Sequence, residues 1–262
     1  MYINTTGLVL RETAYMDSSK ILTVLTEGEG KLTVSARGAL RKNSKLAAVT
    51  QLLAFSEMTL YKNRDRWTMT EARSIEQFIG LRDDIKLLSL GAYFAELTEA
   101  AADEDSPNPE LLSLCLNSLY ALSRRIKTPE YIKPSFEFRL MALSGLAPLV
   151  THCAICGAAE PERSFIDLLE GNLKCRECQS SLSEVSNIDQ TAFSEKARSG
   201  RASLSTGALF AIRYILGCEI KKLFQFSVSD ETLSELIYAA ESYLLAQLDR
   251  NFRTLDYYKK IK

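Results

Sequence analysis

At 262 residues, with 46% hydrophobic residues and 25% charged, the chain has the apolar content to bury a real core and is not disordered over most of its length. A formal net charge of −1 leaves the whole molecule without the positive excess that holds a polyanion, so any nucleic-acid site has to be a local patch. No apolar run reaches the roughly 18 residues of a membrane helix, and Met1–Thr6 has no basic n-region, so we expect a cytoplasmic protein with no signal peptide and no membrane partner.

The first 76 or so residues read as short strands separated by turn signals. Ile3–Leu10 is the first and Ile21–Thr26 the second, and Gly28-Glu29-Gly30 makes a tight connection to Lys31–Ala36. Leu52–Lys62 and Trp67–Ile75 then pair across Asn63-Arg64-Asp65-Arg66. Five strands in so short a span point to a small barrel, with the five-stranded OB architecture as the leading expectation and an SH3-like barrel as the alternative.

After Phe78 the apolar period becomes helical. Asp83–Ala102 is the first helix, Pro109 to about Ile126 the second, and Pro129 starts a third that stops near Gly145, before Pro148. Three more are expected over Ile188–Arg198, Ser205–Cys218 and Asp230–Leu248. The expected class is therefore α+β: a barrel over residues 1–78 and an all-α domain over 79–262, with a cysteine knuckle at 150–181 inserted between helices.

That knuckle is the sharpest chemical signal. Cys153 and Cys156, then Cys175 and Cys178, form two CxxC pairs eighteen residues apart, a spacing that lets four thiolates close a tetrahedral shell around a structural zinc ion. Four reduced thiols or two disulfides would share the same spacing, but nothing else in the chain points to an oxidising compartment. His152, the only histidine, is assigned to the second shell or to solvent. Cys115 and Cys218 sit in apolar helical surroundings and are expected to be buried free thiols.

Between residues 37 and 66 seven basic residues, Arg37, Arg41, Lys42, Lys45, Lys62, Arg64 and Arg66, face two acidic ones, a local excess suited to phosphates. Loops of an OB barrel flank the face where single strands lie, so the two basic groups are expected to meet across that groove. Trp67, Tyr61 and Phe55 are candidate base-stacking rings, with barrel core as the favoured assignment. Catalysis is hard to assemble here: there is no phosphate loop, nucleophile elbow or HExxH motif, and one histidine offers few ways to pair a nucleophile with a base.

Gly7-Leu8-Val9-Leu10-Arg11, Leu25-Thr26-Glu27-Gly28-Glu29-Gly30-Lys31, Ala36-Arg37-Gly38-Ala39-Leu40-Arg41, and Leu143-Ser144-Gly145-Leu146-Ala147-Pro148-Leu149 leading into Cys153 and Cys156 together resemble the bacterial RecO family over nearly the whole chain. Asn251-Phe252-Arg253-Thr254-Leu255 is similar to the family's closing motif, with Thr254 where serine is common; Ser18-Ser19-Lys20 departs from the usual acidic turn. The resemblance implies an OB-fold amino domain, a helical carboxyl domain with a structural zinc knuckle, and no enzymatic turnover. It further implies binding of single- and double-stranded DNA, annealing of strands coated by single-strand-binding protein through that protein's C-terminal tail, and RecA loading with RecR. The competing expectation is a zinc-stabilised protein–protein adaptor without direct DNA binding.

Overall fold

Alternation of inward and outward residues builds the amino-terminal strands. In β3 (Gly30–Ala36), Leu32, Val34 and Ala36 are buried while Thr33 is exposed, the period-two pattern of a strand with one face on a core. The computed structural model describes residues 1–178 and 200–261. They fall into two compact units, Met1–Ile126 with Phe252–Lys262, and Lys127–Asn251.

In the first unit, β1 (Tyr2–Tyr15) pairs antiparallel with β4 (Phe55–Asn63) from Tyr2 to Leu8 and with β2 (Ser19–Thr26) from Gly7 to Tyr15. A register shift between Val9 and Arg11 bends the strand as an irregularity of this kind does, so one long strand serves two neighbours. β2 pairs with β3, and β5 (Arg66–Glu76) pairs with β4 and runs parallel to β3 at Val34–Trp67 and Ser35–Thr68. The order β1-β2-β3-β5-β4 closes on itself into an OB-like barrel. Val9, Leu22, Val24, Val34, Leu60, Trp67 and Met69 fill it.

Two strand ends differ from expectation by three residues or more. β1 runs on through Arg11–Tyr15, a stretch without an apolar inward face, because β2 pairs with it to the hairpin tip. β4 begins at Phe55 rather than Leu52, because Leu53 takes a φ of 65° and its N–H bonds the Val9 carbonyl at 2.9 Å.

A short α1 (Ile79–Arg82) precedes α2 (Ile85–Ala101), whose N-cap Asp84 accepts from the Lys86 and Leu87 N–H groups. α3 (Pro109–Ser123) starts on Asn108 with Pro109 in its first turn. It stops short of Ile126 because Arg125 turns left-handed, φ 52°, and the Ile126 N–H closes on the Ala121 carbonyl at 2.9 Å. The loop after α2 is laid on the β2–β3 turn: the Lys31 N–H bonds the Asp103 carbonyl at 3.2 Å, and at Gly30 (φ 70°) a Cβ would lie 2.4 Å from the Ser106 carbonyl oxygen.

The closing motif forms the start of the chain's last helix. Phe252 is buried, its ring 6.0 Å from Tyr93 in an edge-on arrangement. Thr254 donates its N–H, at 3.2 Å, and its hydroxyl to the Glu96 carboxylate. Thr254 thus offers Glu96 the same kind of hydroxyl donor that a serine would.

In the second unit, α4 (Pro129–Leu143) ends where Gly145 takes a φ of 75° and the Leu146 N–H bonds the Met141 carbonyl at 2.8 Å. β6 (Arg163–Asp167), β7 (Leu173–Cys175) and β8 (Arg201–Ser205) form an antiparallel sheet of order β7-β6-β8, which three- to five-residue strands gave little periodicity to predict. α5 (Thr206–Gly217) is capped by Ser205 and α6 (Asp230–Leu248) by Ser229; α7 (Arg253–Lys260) is the last helix, in the first unit. The helix expected over Ile188–Arg198 lies outside the described residues.

Replacing Thr254 by valine removes the hydroxyl that Glu96 accepts from, and should lower stability by about 1–3 kcal/mol in a denaturant melt, while serine keeps parental stability. Gly30→Ala meets both a left-handed backbone and the Ser106 carbonyl, and should cost about 2–4 kcal/mol in the same measurement.

Candidate nucleic-acid interface and metal centre

The residues from Arg37 to Ala54 connect β3 to β4 without regular secondary structure. Gly38 takes a φ of 70°, and tight turns follow: the Arg41 N–H bonds the Gly38 carbonyl at 3.1 Å, Ser44 bonds Arg41 at 3.0 Å, and Ala47 bonds Ser44 at 3.2 Å. Ala39 and Val49 turn into the barrel core. Arg37, Arg41, Lys42 and Lys45 face outward and are exposed.

The β1–β2 hairpin holds this connection at both ends. Near its start, the Gly38 N–H donates to Ser19 Oγ at 3.3 Å and the Leu40 N–H to the Ser18 carbonyl at 3.0 Å. Near its finish, Lys20 Nζ is paired with Glu12 and donates to the Thr50 carbonyl at 3.3 Å, and Glu12 Oε1 accepts from the Leu52 N–H at 3.0 Å. Ser18-Ser19-Lys20, with Glu12, is therefore the clasp of the cationic loop. Sequence reasoning missed Glu12 and Ser19 in this role, and their polar side chains on a hairpin gave no signal for it.

The second basic group sits in the β4–β5 turn. Lys62 is half-buried with its ammonium 5.0 Å from the centre of the Trp67 ring. Arg64 occupies the turn at a φ of 54°, and Arg66, exposed, opens β5 opposite Asn63. The Val34–Trp67 pairing puts Arg66 level with Thr33, about 13 Å along the strand from Arg37 at 3.3 Å per residue. The two groups thus lie on neighbouring strands at different levels. Of the aromatics, Trp67 is 6% exposed and part of the core. Tyr61 is half-buried with Tyr2 4.7 Å from its ring, and Phe55 is half-buried opposite Leu8 and Glu76.

The four knuckle cysteines converge in the second unit. Their sulfurs all lie within 4.8 Å of one another, with Cys156 and Cys175 Sγ 3.7 Å apart, so one metal ion can touch all four. Cys153 and Cys175 are buried, Cys178 half-buried and Cys156 exposed. Backbone geometry shapes the first turn: the Gly157 N–H bonds the Cys153 carbonyl at 2.9 Å and the Cys153 N–H the Ala158 carbonyl at 2.8 Å, with Gly157 at a φ of 76°. The Cys175 N–H points at Cys153 Sγ, 3.3 Å away.

Burial works against a Cys153 thiolate, but the N–H groups of Cys156, Cys175 and Ile155 outweigh it and bring this thiol down to about 6. At Cys175 the Cys178 N–H favours the thiolate, yet burial and the neighbouring Glu177, Cys178 and Cys156 side chains push it up to about 12. His152 turns away to Thr151, Nδ1 to Oγ1 2.9 Å. Arg213, not foreseen from sequence, binds the knuckle to α5: its Nε donates to the Val150 carbonyl at 2.8 Å and Nη2 to those of Thr151, 2.9 Å, and Ala159, 2.6 Å. Cys115 is a buried free thiol, pushed up to about 12 by burial; Cys218 is free but only half-buried, a correction to the expectation, because it caps the end of α5 rather than facing its packed side. No helix among the described residues is long and apolar enough to cross a membrane.

Comparison with known proteins agrees with these features. The family model described as "Recombination protein O N terminal" matches residues 1–78, and "Recombination protein O C terminal" matches residues 82–256. DNA repair protein RecO of Acetivibrio thermocellus is 32% identical over 260 residues, 99% of this chain and 97% of the relative. The protein of the same name from Alkaliphilus metalliredigens is 31% identical over the full length of both chains, 262 residues of this one. That of Caldicellulosiruptor bescii is 29% identical, covering 99% of each.

Since a metal ligand has to be a thiolate and Cys175 holds its proton at neutral pH in the free site, metal affinity should weaken as pH falls from 8 to 6, with protons released on binding. Competition titrations against a chromophoric chelator at several pH values check this; a flat profile would count against binding through all four sulfurs.

Proposed function

The chain belongs to the RecO family of DNA repair proteins, and we propose that it is a recombination mediator rather than an enzyme. In this reading it binds single- and double-stranded DNA, anneals complementary strands coated by single-strand-binding protein, whose C-terminal tail it engages, and assists RecA loading together with RecR. The observation that carries the reading is the loop of Arg37, Arg41, Lys42 and Lys45, free of acidic residues and held on an OB-like barrel by Glu12, Ser18, Ser19 and Lys20. Its mechanism is electrostatic: these cations hold the phosphates of one strand, while Lys62, Arg64 and Arg66 favour its complement, so annealing follows from raised local concentration. Residues 1–78 act as the DNA-binding barrel and 79–262 as the helical, metal-bearing part. The protein works in the cytoplasm, on nucleoid DNA.

The metal in this reading is structural zinc on Cys153, Cys156, Cys175 and Cys178. A tetrahedral thiolate site with Zn–S bonds of about 2.3 Å has sulfurs about 3.8 Å apart, close to the 3.7 Å between Cys156 and Cys175. Bound there, zinc supplies a closed cross-link between the two turns.

The test is annealing of two complementary oligonucleotides, each coated with single-strand-binding protein, across a salt series. Acceleration should vanish in Arg37→Glu/Arg41→Glu, whose single-strand binding should also lose roughly 1.4 from its log–log salt slope, 0.7 per phosphate contact. A folded, metal-loaded parent that neither anneals nor binds strands would overturn the reading in favour of the zinc-stabilised adaptor.

A further inference from the structure

Resting on the strand-binding reading above, we propose that Tyr15, at the tip of the β1–β2 hairpin, is the platform on which a base of bound single-stranded DNA stacks, with Met16 and Leu40 forming an apolar ledge beside it. The three rings singled out from sequence are engaged elsewhere: Trp67 is 6% exposed and filled into the core, Tyr61 is half-buried against Tyr2, and Phe55 is half-buried opposite Leu8 and Glu76. Tyr15 is 47% exposed, Met16 76% and Leu40 46%, and no aromatic ring packs on Tyr15 among the described residues. Three open apolar side chains at one end of a small barrel call for a ligand with an apolar face.

The strand register places this ledge beside the phosphate-holding loop. Tyr15 lies directly opposite Ser19 on β2, and the Lys20–Ala36 pairing puts Ser19 level with Arg37, at the end of β3. Residues directly opposite one another share a face. The next row, Ala14, Lys20 and Ala36, contains the fully buried Ala36, so the row of Tyr15, Ser19 and Arg37 faces outward. Tyr15 and Arg37 then stand two strand spacings apart, about 10 Å. Leu40 is fixed to the same tip by its N–H bond to the Ser18 carbonyl, 3.0 Å.

Charge selects the occupant. From Arg37 to Lys45 there are four cations and no acid, an excess over the single exposed carboxylate of the tip, Asp17, that favours phosphates. A strand whose phosphates rest on the loop presents unpaired bases to the tyrosine face, the sequence-tolerant combination of cationic track and aromatic ring that single-strand binders use.

The experiment measures binding of the full chain to oligothymidylate and to an abasic phosphodiester strand of equal length. Tyr15→Ala should weaken oligothymidylate binding roughly five- to a hundredfold, leave the abasic strand and the salt slope unchanged, and be rescued by Tyr15→Phe. Equal loss on both strands would assign the tyrosine to the shape of the hairpin and overturn the proposal, as would an unchanged Tyr15→Ala while Arg37→Glu/Arg41→Glu abolishes binding; in both cases strand binding itself stands. A parent that binds neither strand removes the strand-binding reading and this inference with it.

Discussion

The ion pair between Glu12 and Lys20 sits where an irregular connection has to be made into a surface. Ordering backbone costs about 1–2 kcal/mol per residue, and the β3–β4 connection has no strand or helix to offset it. The chain answers with a few buried apolar residues, Ala39, Val49, Leu53 and Ala54, and with a polar clasp from the adjoining hairpin. Glu12 uses one carboxylate oxygen for Lys20 and the other for the Leu52 N–H, while Lys20 reaches on to the Thr50 carbonyl. Lys20 is therefore a cation already in use, with a side chain only 12% exposed. The outward cations it helps to fix are left for a ligand.

The metal centre solves a similar problem by different chemistry. The segment Cys153–Cys178 is built from strands of three to five residues and tight turns. The four sulfurs are gathered by backbone N–H groups and by turns that Gly157 permits, and Arg213 adds a guanidinium shared among three knuckle carbonyls. Backbone N–H groups thus favour the Cys153 thiolate, while Cys175 would have to release its proton to solvent before a metal could bind all four sulfurs.

Much of this was legible in the residue pattern, for identifiable reasons. The alternation of Leu32, Val34 and Ala36 reads as a strand because one face meets the core, and Pro109 and Pro129 mark helix starts because a first-turn proline has no N–H to leave unsatisfied. The cysteine spacing is local chemistry and reads directly. What stayed hidden depends on register. Trp67 is expected in the barrel core and lies there, but that Tyr15 points outward beside Arg37 is set by which residues lie opposite across the sheet. Glu12 and Ser19 look like ordinary hairpin residues until residues 38 and 52 are brought beside them. Arg213 resembles any arginine on a half-exposed helix.

Strand binding in this reading depends on an ordered loop rather than on charge alone. The most direct measurement is the affinity of the Glu12→Ala variant for a single-stranded oligonucleotide at fixed salt. The substitution removes a negative charge, so attraction alone would leave binding equal or tighter. If the clasp positions Arg37, Arg41, Lys42 and Lys45, affinity falls several-fold although no cation is lost and the barrel stays folded. Binding as tight as the parent's, or tighter, would contradict it.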